Sequence, residues 1–159
     1  MEILLVEDNR ADINLISLIL KEADSTINLN VVQNGQDAVD FLFRNDNYAE
    51  APEPDFIILD INLPLMSGIE VLAEIKKDMR LKSIPVIIFS STFTDEERKQ
   101  VINLGCDSYF HKPLMLEDYE STVRSFIEFA PLRSSRFSEK FYEFEKVNGI
   151  TKLRDDLLK

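Results

Sequence analysis

The 159-residue chain has one cysteine, one histidine, four glycines and no apolar run that approaches a membrane span. Each shortage excludes something. Cys106 has no partner for an intramolecular disulfide, which fits a reducing compartment. Set between Gly105 and Asp107, with no neighbouring metal ligand, it reads as a small buried hydrophobe. Without a long apolar run no membrane crossing is expected. Strand-like sequence from Glu2 onward leaves no room for a signal peptide, so the expected location is the cytoplasm. No Gly-rich phosphate loop, dinucleotide fingerprint, internal repeat or low-complexity tract is present. Positive charge is scarce as well. Eighteen Lys and Arg against 29 Asp and Glu give −11, which disfavours non-specific binding to nucleic acid or anionic membrane.

What remains is ordered. "EILLV", "DFIILDI" and "IPVIIFS" are continuously apolar, as strands buried on both faces of a parallel sheet require. "INLNVV" at 27–32 and "DSYF" at 107–110 read as strands nearer the edges. Helical spacing joins Ile13, Ile16, Leu20 and Ala23, then Val71, Ile75 and Met79, then Tyr119, Val123, Phe126 and Ala130. Ser67 with Glu70 and Thr94 with Glu97 read as capping boxes that start helices. The helix after Thr94 is polar except near Val101, Ile102 and Leu104, so it is expected to be exposed. Residues 45–54 form the longest loop, with two prolines against a continuing helix. The pattern is β-α five times over, a doubly wound α/β fold in a body spanning 1–130.

Residues 131–159 form a separate tail. They hold seven Lys/Arg and five Asp/Glu, leaving −13 on the body. Phe137, Phe141 and Phe144 share a helical stripe that ends at Asn148-Gly149, and a second short helix is expected over 151–159. That stripe has three readings: packing on its own domain, a homodimer contact or a partner site.

Charge collects where the strands end. Strand 1 runs into Glu7-Asp8, strand 3 into Asp60, strand 4 into Ser90, and strand 5 stops just before Lys112. Ligands of open parallel sheets bind beyond these carboxyl ends. Two carboxylates about 4 Å apart repel by roughly 4 kcal/mol at an effective dielectric near 20. Three together need a divalent cation or must take up protons. Mg²⁺ suits such oxygen donors because it keeps waters that a phosphate can displace. A metal and a lysine neutralise phosphoryl oxygens during in-line attack, and a carboxylate can be the nucleophile. Asp60, on the central strand, is the best candidate.

"LLVEDN", "IILDINLPLMSGIEVL", "IPVIIFSS" and "GCDSYFHKP", in that order, resemble the receiver domains of two-component response regulators. The resemblance covers residues 2–130. Thirty residues part Asp60 from Ser90 and twenty-two part Ser90 from Lys112, as in that family. It implies a flavodoxin-like five-stranded parallel sheet in the order 2-1-3-4-5, followed here by a C-terminal helical extension. It implies that Asp60 accepts a phosphoryl group from a histidine kinase or phosphotransfer protein. Glu7, Asp8, Asp60 and the backbone carbonyl of Asn62 would hold Mg²⁺ or Mn²⁺, and Lys112 would pair with a phosphoryl oxygen. A cis Lys112–Pro113 bond would fix the lysine's direction. Ser90 is the switch hydroxyl and Tyr109 the switch aromatic, turning inward once Ser90 has moved. The altered surface would be that of helix 4, strand 5 and helix 5, where a downstream protein docks.

Three features depart from the family. Cys106 replaces the usual alanine, the 45–54 loop is long, and the tail matches no output domain. The long loop is similar to that of single-domain regulators paired with phytochrome-type kinases. Two other functions compete. A degenerate receiver that only docks is opposed by the intact Glu7, Asp8, Asp60, Ser90 and Lys112. An aspartate-nucleophile phosphatase is opposed by Asn62, where such enzymes carry a second aspartate. Asn62 and Thr92 sit two residues after Asp60 and Ser90, positions that tune dephosphorylation in receivers. His111, at a strand end beside Lys112, reads as a surface side chain rather than a phosphotransfer site.

Overall fold

The apolar runs form the interior strands of one parallel sheet. A computed structural model describes residues 1–129. Its strands are β1 (Glu2–Val6), β2 (Asn28–Val32), β3 (Phe56–Leu59), β4 (Val86–Ser90) and β5 (Ser108–His111). They lie in the order β2-β1-β3-β4-β5, all parallel, as the sequence led us to expect. Between them run α1 (Arg10–Ala23), α2 (Gly35–Phe43), α3 (Gly68–Lys77) and α4 (Asp95–Leu104), with α5 (Leu116–Phe129) last.

Alternation along each strand sorts the side chains onto two faces. Leu4, Ile57, Leu59, Val86 and Ile88 pack with Phe41, Leu72, Ile75 and Val101 from α2, α3 and α4. Ile3, Leu5, Phe56, Ile58, Ile87 and Phe89 face Ile16, Leu20, Val123 and Phe126 from α1 and α5. Both faces being covered is why these strands read as unbroken apolar runs.

Helix starts follow local chemistry. Ser67 and Thr94 each close a full capping box, with Glu70 and Glu97 returning the bond. Asn9 and Asn34 cap α1 and α2. As expected, α4 is largely exposed, with Val101 buried and Ile102 and Leu104 half-buried against the core. Two stripes run on too far in sequence. Ala23 is exposed, and Ile19 faces the core in α1. Met79 is exposed because α3 stops at Lys77; the Asp78 side chain accepts from the Arg80 and Leu81 N–H groups and turns the chain. The 45–54 connection contains a 3₁₀ turn, Asp46–Tyr48, with the Tyr48 ring 5.6 Å from that of Phe41. Among the described residues no helix is long and apolar enough to cross a membrane. Ala130, the Phe137/Phe141/Phe144 stripe and the 151–159 helix lie outside the described residues.

Candidate functional site

The ladders reach one residue past β1, β3 and β5. Glu7 N–H donates to Val32 O, Asp60 N–H to Val6 O and Lys112 N–H to Ser90 O, at 3.1, 3.0 and 2.9 Å. These bonds bring Glu7, Asp60, Ser90 and Lys112 to one rim.

Asp60 is 6% exposed, and both its oxygens are engaged. Oδ1 accepts from the Ser90 hydroxyl at 2.6 Å and from Asn62 N–H at 3.0 Å. Oδ2 accepts from Lys112 Nζ at 2.7 Å. The same ammonium donates to Glu7 Oε2 at 2.6 Å and to Asp12 Oδ2 at 3.0 Å. Three carboxylates thus share one cation. Burial works against the Lys112 ammonium, but hydrogen bonds and charge from Asp60 and Glu7 outweigh it and hold its pKa above that of an ordinary lysine. Burial pushes Glu7 up to about 7 even though Lys112 and the Asn9 N–H favour its charged form. The Phe89 ring lies 5.9 Å from Lys112 Nζ.

Two glycines fix the β3–α3 loop that follows Asp60. A Cβ on Gly68 would stand 2.0 Å from the Asp60 carbonyl oxygen, and one on Gly35 would stand 2.0 Å from that of Met66. Only a glycine lets α3 approach the Asp60 backbone so closely. Between them Leu65 takes a left-handed φ of 68° with its side chain in solvent. The Asn62 side-chain amide donates to Ser90 Oγ and Thr92 Oγ1, at 3.2 and 3.1 Å, and ties this loop to the one after β4.

The donor set fits a hard divalent cation. Glu7 and Asp60 are buried carboxylates, and Asp8 stands exposed at the rim. Among the described residues no three His, Cys, Asp or Glu side chains stand together closely enough to enclose a metal ion by themselves.

Two expectations meet a different geometry. No cis peptide occurs among the described residues, so Lys112–Pro113 is trans; three carboxylates aim the lysine instead. Tyr109 is already buried, its ring 5.6 Å from Phe93, and Ser90 already donates to Asp60. Tyr109 is thus inward while Ser90 is bonded to the Asp60 carboxylate itself, not to a phosphoryl oxygen. His111 is exposed at the end of β5, with its ring 4.9 Å from Phe93. Cys106 sits half-buried against the α2–α4 core, and burial pushes its thiol up to about 12.

Sequence reasoning missed Asp12 and Tyr119. Asp12 lies in the first turn of α1, where an acid is ordinary. Tyr119 fitted the apolar stripe of α5, yet its hydroxyl donates to Asp12 Oδ1 at 2.8 Å.

Comparison with known proteins follows the same lines. Residues 3–124 match the response regulator receiver domain family. Response regulator Rcp1 from Synechocystis sp. is 35% identical over 127 residues, covering 80% of this chain and 86% of that protein. The crystal structure of the phosphorylated cyanobacterial phytochrome response regulator RcpA aligns with a TM-score of 0.79 at 36% identity, covering 84% of this chain and 96% of that one. The Mn²⁺-bound form of Rcp1 aligns with a TM-score of 0.77 at 35% identity, covering 80% and 92%.

Proposed function

The chain belongs to the response regulator receiver domain family, and from that premise we propose that it is a phosphoacceptor switch. Asp60 takes a phosphoryl group from a histidine kinase or phosphotransfer protein, and the body 1–130 signals through protein contacts. The observation that carries this reading is the set of donors on Asp60. The Ser90 hydroxyl, the Lys112 ammonium and the Asn62 N–H all end on one carboxylate.

A carboxylate oxygen of Asp60 attacks phosphorus in line. The O–P bond forms as the donor histidine's N–P bond breaks and its ring nitrogen leaves with the electron pair. Lys112 and Ser90 then transfer their hydrogen bonds from Asp60 to phosphoryl oxygens. Glu7, Asp8, Asp60 and the Asn62 carbonyl would hold the Mg²⁺ or Mn²⁺, whose positive charge lowers the cost of crowding anionic oxygens at the rim. Catalysis extends only to the chain's own phosphorylation and dephosphorylation. Asn62 offers an amide where a hydrolase would need a second carboxylate, so the phosphatase reading gains no support.

Output runs through Ser90 and Tyr109 to the face of α4, β5 and α5, where a downstream protein docks. The single, half-buried Cys106 suits a reducing cytoplasm. Deleting 131–159 and measuring solution mass tests the dimer reading of the tail, which an unchanged mass sinks. The primary test is intact-mass spectrometry with Mg²⁺ and acetyl phosphate. Wild type is expected to gain one phosphoryl group, while Asp60→Asn, or wild type with chelator, gains none. An unlabelled wild type, where a control receiver labels, returns the chain to the docking-module class.

A further inference from the structure

Lys112 has three carboxylate partners, and phosphoryl transfer as proposed above redirects two of them. Asp60 becomes the acyl phosphate, and Glu7 is needed for the cation. Asp12 has neither duty. Its Oδ2 accepts from Lys112 at 3.0 Å and its Oδ1 from the Tyr119 hydroxyl at 2.8 Å. Tyr119 is buried, with its ring 5.2 Å from and edge-on to Phe89, the same ring that lies beside Lys112 Nζ. Asn9, which caps α1, accepts from the Asp12 backbone N–H and fixes the start of the helix. The carboxylate is therefore held from two sides, and neither of its own contacts has to break for Asp60 to react.

We propose that Asp12 is a positioning residue for phosphoryl transfer, holding the Lys112 ammonium toward Asp60 while Tyr119 holds Asp12. The proposal rests on the phosphoacceptor reading and deepens it. Lys112 is delivered to the rim from the end of β5 on a long flexible stem. A fixed anion behind its head keeps it from following Glu7 when that carboxylate turns to the cation. Charge is the operative property of Asp12, and the phenol matters only through it. Lying beside Asp60 without touching the incoming group, Asp12 acts on the rate of transfer rather than on assembly of the cation site.

The experiment follows labelling by acetyl phosphate across a Mg²⁺ titration for wild type, Asp12→Asn, Asp12→Glu, Tyr119→Phe and Asp12→Asn/Tyr119→Phe. Metal-free melting temperatures are measured alongside. Asp12→Asn keeps an acceptor for Tyr119 but loses the charge, and is expected to lower the maximal rate about tenfold. Its half-saturating Mg²⁺ should stay at the wild-type value. Asp12→Glu should recover most of the loss, and Tyr119→Phe should lose less than Asp12→Asn. The double variant should be no slower than Asp12→Asn, because Tyr119 acts through the charge already removed. A wild-type maximal rate in Asp12→Asn overturns the proposal, as do losses that multiply in the double variant. If Asp12→Asn does not fold, an unchanged rate in Tyr119→Phe overturns it alone. An unlabelled wild type is a different result, since it removes the phosphoacceptor reading and this proposal with it.

Discussion

Leu59 and Asp60 are neighbours in the chain and almost equally hidden, at 0% and 6% exposure. Leu59 lies among Val6, Ile57 and Ile88, with nothing polar to satisfy beyond its backbone. Asp60 has three donors on two oxygens, beside two further carboxylates that share its lysine. Burying a side chain such as Leu59 contributes about 1.5–3 kcal/mol. Burying an under-compensated carboxylate has the opposite sign. The sheet interior therefore supplies the stability that keeps the rim assembled, and the rim keeps charges that a fold selected for stability alone would discard.

That contrast can be broken, beginning with the interior. Phe126, fully buried against Phe89 and Phe110, should cost about 3–5 kcal/mol when replaced by alanine. The protein that remains folded should still label at Asp60, as denaturant melts paired with mass spectrometry will show. Loss of labelling in folded Phe126→Ala would mean that interior and rim are not separable. Gly68→Ala strikes the junction of the two. Its Cβ must displace the Asp60 carbonyl, so a loss of about 1–3 kcal/mol should come with a large fall in labelling.

Glu7 gives the contrast a pH dependence. Its folded pKa, raised to about 7 from an ordinary 4.5, means that the folded protein binds a proton in that window which the unfolded chain has released. The resulting stabilisation is complete below pH 4.5 and disappears as pH rises through 7. Metal-free stability should lose at most about 1.4 kcal/mol per pH unit from this group, and Glu7→Gln should remove the dependence. Mg²⁺ affinity should rise over the same interval, because the proton and the cation compete for one carboxylate. Calorimetry at several pH values between 5 and 8 reads this directly. The smallest effect expected is a gain. Asp60→Asn in metal-free buffer relieves repulsion at the rim and should stabilise the fold by about 1 kcal/mol.

The sheet was legible because burial on both faces writes itself into sequence as unbroken apolar runs. Glu7, Asp60, Ser90 and Lys112 were legible because they interrupt those runs at matching ends. Asp12 was not, since its pairing with Lys112 bridges 100 residues and leaves no local trace. Tyr119 was read only as apolar because a stripe reports the ring and is silent about the hydroxyl. Periodicity also overran at Met79, where one aspartate's hydrogen bonds to the next turn outweighed helix propensity.

The bond from Lys112 to Glu7 joins residues 105 positions apart, with four of the five strands in between. During synthesis the lysine is among the last of the site's groups to emerge, and β5 must dock before it can reach the others. Until then Glu7 and Asp60 have no Lys112 ammonium between them. On the proposed phosphoacceptor reading, reactivity would arrive only with complete assembly, and a half-made or misassembled copy would stay out of signalling.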